Sequence, residues 1–65
     1  MNAVVKRNNV ETRVECNAVA DMQSAAEAFR KAGQSFEITG YRDGVVVYWN
    51  SWSPHTRKSD EVWRM

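Results

Sequence analysis

The residues with the strongest intrinsic chemistry in this chain are one cysteine, Cys16, and one histidine, His55. A thiolate–imidazole pair is the smallest nucleophilic machine these two could build. Cys16, however, ends an alternating run, Val10, Thr12, Val14, Cys16, which places it on the inward face of a strand as a small buried hydrophobe. His55 follows Pro54 in a polar stretch, where a solvated loop imidazole is the ordinary outcome. Two residues fall short of a Cys/His zinc set, and one cysteine closes no internal disulfide. Ser51, Ser53 and Ser59 lack a strand–turn–helix elbow, and the eight carboxylates are spread singly apart from Asp60-Glu61. Three glycines, each suited to a turn, a cap or a strand, make no phosphate-binding loop. The chemistry points away from an enzyme and calls for no cofactor and no metal.

Binding is the alternative, so the elements that would present a surface matter most. Sixty-five residues form one domain near the lower size limit for folding alone, with a thin core. The absence of a disulfide framework, of an apolar leader in residues 1–7 and of a run approaching about 20 apolar residues predicts a cytoplasmic domain off the membrane. Nine valines, seven aromatics and no leucine favour a pleated sheet over a helical bundle.

Residues 3–7 and 10–16 read as strands around Asn8-Asn9, which tolerate positive φ. A hairpin is the favoured form; one long strand with a bulge at the asparagines is the alternative. Residues 22–32 form the helix, with Met22, Ala25, Ala26, Phe29 and Ala32 on one stripe. Asp21 is placed to cap it, Ser24 and Glu27 form a competing capping box, and Gly33 ends it. Residues 35–41 and 45–50 are strands joined at Asp43-Gly44, a strong two-residue hairpin signal. Regular pairing from that turn sets Tyr41 opposite Val46, Gly40 opposite Val47, Thr39 opposite Tyr48 and Ile38 opposite Trp49. Phe36, Ile38, Gly40, Val45, Val47 and Trp49 then meet the helix, while Glu37, Thr39, Tyr41, Val46 and Tyr48 face out. Residues 51–58 read as a loop around Pro54. Residues 59–65 fit either a last edge strand, the preferred form, or one helical turn. The expected fold is α+β: one helix packed on a four- to five-stranded antiparallel sheet, ββαββ with an optional C-terminal strand.

Two surfaces follow. Tyr41, Val46 and Tyr48, with Arg42 beside them, make an outward aromatic patch of the kind found at protein interfaces. The bland outcome is that the N-terminal hairpin, the C-terminal segment or a second copy covers it. Trp52, Arg57 and Lys58 in the tail, with Arg30 and Lys31 at the helix end, could stack a base and touch phosphates. A net charge of +1 gives that second surface no global support, and Arg30-Lys31 also complement the helix dipole.

The Val-Glu-Cys strand end, the alanine-rich helix 22–32 and the Asp43-Gly44 hairpin follow one another in an order that resembles small phage-encoded inhibitors, including some type I anti-CRISPR proteins. The resemblance is one of architecture over residues 3–50. It implies a cofactor-free inhibitor that binds a host protein complex and blocks it sterically. The expectation is therefore a non-enzymatic protein-interaction module, with nucleic-acid binding as the runner-up and a homo-oligomer as a third reading.

Overall fold

A computed structural model of the protein describes residues 1–56 and 58–64. The chain runs β1 (Asn2–Arg7), β2 (Val10–Glu15), α1 (Val19–Lys31), β3 (Phe36–Arg42), β4 (Val45–Ser53) and β5 (Lys58–Trp63). The strands form one antiparallel sheet in the order β2-β1-β3-β4-β5, and α1 lies across one face of it.

Both hairpins follow from left-handed turn residues. Asn8 and Asn9 have φ of 50° and 66°, Asp43 and Gly44 have 52° and 78°, and each pair closes a two-residue turn. The asparagine turn thus makes a hairpin, not a bulged single strand. That hairpin extends the sheet sideways through β1–β3 pairing and does not fold over a face.

The helix starts three residues earlier than its apolar stripe suggests. Asp21 sits inside the first turn, and its Oδ2 accepts hydrogen bonds from the N–H groups of Asn17 and Ala18 at 3.0 and 3.2 Å. One carboxylate thereby satisfies free donors and faces the positive helix end, so Ser24 is not needed as a cap. At the other end Gly33, at φ 71°, lets its own N–H reach Arg30 and that of Gln34 reach Phe29. This is the glycine-dependent termination the sequence predicts.

The core comprises Ala3, Met22, Ala26, Phe36, Ile38 and Tyr48, with Asn50 also buried. Phe36 carries Phe29 of the helix on one side, centroids 5.7 Å apart, and Trp52 on the other at 6.4 Å. Beside them the Arg7 guanidinium lies 4.8 Å over the Phe29 ring.

Regular pairing of β3 with β4 stops after two residues. Arg42 pairs with Val45 and Tyr41 with Val46, but Gly40 then pairs with Tyr48, Thr39 with Trp49 and Ile38 with Asn50. The register shift between Gly40 and Tyr41 is a bulge in which Val47 is the extra residue. Because side chains alternate with period two, one extra residue exchanges the faces of everything beyond it. Tyr48, expected outside, is fully buried against the helix; Trp49, expected inside, is on the outer face. The packing supplies the reason. Gly40 has no side chain, Met22 of α1 fills the space where a Cβ would stand, and the Tyr48 Cβ lies beside that position. An aromatic set across from a sheet glycine is a recognised way of pinning register.

The remaining differences lie in the C-terminal quarter. β4 continues through Trp52 and Ser53, and Pro54 stands just beyond the strand, where its missing N–H disturbs no ladder. β5 pairs along the length of this extension, from Ser53–Lys58 to Tyr48–Trp63, so the edge-strand form of the tail is the observed one. Met65, the last residue of that predicted strand, lies outside the described residues. Among the described residues, no helix is long and apolar enough to cross a membrane.

Candidate functional site

The strand registers define the outer face row by row. Its middle row runs Arg13, Val4, Thr39, Trp49 and Val62 across all five strands. Next to it, Glu15, Asn2, Tyr41 and Val46 form a second row across four. Val4, Thr39, Tyr41 and Trp49 are half-buried by their neighbours, while Val46 and Val62 are 41% and 53% exposed. The face is an apolar and aromatic strip with no second layer over it among the described residues. At its β2 end a broad, open depression of about 620 Å³ is lined by Asn2, Val4, Arg13, Glu15 and Tyr41.

Charge on this face is mixed. Glu11, Glu15, Glu37 and Asp60 stand against Lys6, Arg13 and Lys58. A field of alternating sign does not attract a polyphosphate backbone, whereas it matches the polar rim of a protein interface.

The residues singled out in the sequence fall into separate places. Tyr41 and Val46 are neighbours on the outer face, directly paired across β3 and β4. Arg42 is exposed at the turn and reaches the Met1 sulfur at 3.7 Å. Tyr48 is a correction: it lies on the opposite face, wholly buried, where its phenol accepts a hydrogen bond from Asn50. Trp52 is another, since it belongs to β4, not a loop, and its half-buried ring stacks on Phe36. Lys58 opens β5 opposite Ser53, one residue out of phase with the Trp52–Ser59 pair, so it and Trp52 face opposite sides of the sheet. Arg30 and Lys31 are exposed in the last helical turn. Arg57 lies outside the described residues.

Trp49 is the residue that sequence reasoning missed as a surface group. Residues 45–49 are all apolar, so alternation gave no phase there, and a Gly40 opposite an aromatic was the one signal of the bulge.

The nucleophilic candidates stay apart. Cys16 sits just past β2, half-buried, and backbone hydrogen bonds of 2.8 and 2.9 Å tie it to Met1. Burial pushes its thiol up from the ordinary value, the Asp21 carboxylate pushes the same way, and the N-terminal ammonium opposes them. A raised thiol pKa is the reverse of what activates a nucleophile. His55 is exposed in the turn between β4 and β5. Among the described residues, no three His, Cys, Asp or Glu side chains gather in a way that could hold a metal ion. Compared with known proteins, the chain matches no family model, no curated relative and no solved structure.

Proposed function

We propose that this chain is a non-enzymatic protein-interaction module that docks on a partner protein through its outer sheet face. The observation that carries this reading is the uncovered strip of Val4, Thr39, Tyr41, Val46, Trp49 and Val62, built across the strands and rimmed by charges of both signs. The two longer molecular extents, 33 and 22 Å, enclose an area comparable with the roughly 800 Å² per side of a standard interface. Tyr and Trp at the centre of such a face are the residue types that anchor binding. The mode we propose is occlusion, in which the domain covers part of a larger protein assembly and excludes what would otherwise bind there.

The test is capture of partners by the tagged protein from cell lysate, with and without nuclease. The same assay is run with Trp49→Ala and Tyr41→Ala. A protein complex recovered equally under both conditions, and lost with either variant while the circular dichroism is unchanged, supports the reading. Recovery that disappears with nuclease would replace it with nucleic-acid binding. Undiminished capture by both variants would move the site off this face.

A further inference from the structure

β2 is an edge strand, and its chemistry is self-complementary. Its six residues carry no proline and no bulge, two of the devices that block edge pairing. The phase of its ladder is set where Met1 and Cys16 exchange both backbone hydrogen bonds, at 2.8 and 2.9 Å. By alternation Val14, Thr12 and Val10 also bond to β1, so the N–H and C=O groups of Glu11, Arg13 and Glu15 point out of the sheet. These are three charged residues of alternating sign on an open ladder. Val10 and Val14, on the helix-side face of the same strand, are 64% and 41% exposed. The helix lies over β3 and β4, leaving an open groove of about 440 Å³ bordered by Val5, Thr12, Val14, Cys16, Ala25 and Phe29.

We infer that β2 is a dimer seam, pairing antiparallel with β2 of a second copy of this chain with Thr12 opposite Thr12 on the two-fold axis. In that register Glu11 faces the second copy's Arg13, and Arg13 faces the second copy's Glu11. Each such pair uses the outward backbone groups of both strands. On the other face Val10 meets the second copy's Val14 and the reverse, so two exposed valines of each chain are buried together.

The neighbouring registers are poorer. Centring on Glu11 or Arg13 puts like charges opposite each other. Centring on Val14 pairs Arg13 with the second copy's Glu15, but leaves Val10 and Glu11 without partners. It also draws on a carboxylate already 3.5 Å from the N-terminal ammonium. A two-fold axis perpendicular to the sheet keeps both helices on one side, so the product is a continuous ten-stranded sheet with two outer faces side by side.

The seam is tested by sedimentation of the whole chain over a wide concentration series. Wild type dimerises, whereas Glu11→Arg and Arg13→Glu each raise the midpoint concentration by about tenfold or more, because two pairs turn repulsive. An equimolar mixture of the two variants recovers the wild-type midpoint, since each chain then carries a single sign at both positions. As a second readout, amide exchange at Glu11 and Arg13 slows with concentration in the wild type. A wild-type chain that stays monomeric, a Glu11→Arg chain that dimerises normally, or a mixture no better than its components would overturn the proposal. Outer-face binding by a monomer would leave the proposed function standing while removing the seam.

Discussion

Asn50 donates a hydrogen bond from Nδ2 to the Tyr48 phenol oxygen at 2.7 Å, two residues away on the same face of β4 and beneath the helix. Tyr48 is fully buried and Asn50 is 2% exposed, and the Asn50 Oδ1 has no partner among the described residues. Glu61 of β5 lies against the phenol and accepts a hydrogen bond from Gln23 of α1 at 3.1 Å. One buried polar pair thus links β4, the edge strand β5 and the helix. Tyr48→Phe removes the acceptor and strands the Asn50 amide, at a cost of about 1–3 kcal/mol. Replacing both partners, Tyr48→Phe with Asn50→Leu, recovers most of that loss in urea unfolding. A double variant as unstable as the single one would show that packing, not hydrogen bonding, sets the cost.

The same tyrosine governs stability at alkaline pH. Burial pushes its phenol up from the ordinary value of 10.0, Glu61 pushes the same way, and the Asn50 hydrogen bond opposes them. The folded state therefore holds this proton more tightly than the unfolded chain. Its contribution is complete below pH about 10 and is lost as pH rises through the folded value. Cys16, raised from 9.0, acts with the same sign. The urea midpoint should hold level up to pH about 9 and fall above it, and Tyr48→Phe should flatten the upper part of that fall. An unchanged slope in that variant would exclude Tyr48 as the titrating group.

Gly40 is reserved for Met22. A methyl group at residue 40 would collide with Sδ and Cε of the buried Met22 side chain. Gly40→Ala should destabilise by about 1–3 kcal/mol through overpacking. Met22→Ala alone should cost about 2–5 kcal/mol through the cavity it leaves. Because the two changes share one space, the double variant should cost clearly less than the separate costs combined. Strict additivity in thermal unfolding would contradict this contact.

The two adjacent aromatics of β4 should separate cleanly by assay. Trp49→Ala should leave the fold intact and weaken partner capture by about ten- to hundredfold, the range of a hot-spot residue. Tyr48→Ala should unfold the domain, losing capture and secondary structure together. The opposite assignment, with Tyr48 dispensable for folding, is what regular pairing from the Asp43-Gly44 turn would require.

How far the sequence carries is decided at that point in β4. The turn residues Asn8-Asn9 and Asp43-Gly44 and the helix stop at Gly33 were legible because positive φ has few chemical solutions. The helix start was displaced because Asp21 caps from within the first turn, so the stripe 22–32 understates the element. Pro54 suggested a loop too early, since a proline can follow a strand immediately. Of the outer site, Tyr41 and Val46 lie before the bulge and were placed correctly. Tyr48 and Trp49 lie beyond it, and the tertiary fit of Met22 over Gly40, not any local pattern, determines their faces.

The bulge also bears on how this scaffold tolerates change in length. Deleting Val47 would restore two-by-two pairing without turning any later residue: Val46 stays opposite Tyr41 and Tyr48 opposite Gly40, so Trp49 remains on the outer face and Asn50 beneath the helix. β5, paired residue by residue along that segment, would keep its ladder unbroken. A single codon's loss at this one place would therefore be absorbed, whereas the same loss from Trp49 onward would turn the rest of β4 over and put it out of step with β5. Length variation in this domain should accordingly be confined to its turns and to the bulge, with the span from Trp49 to Ser53 inherited at fixed length.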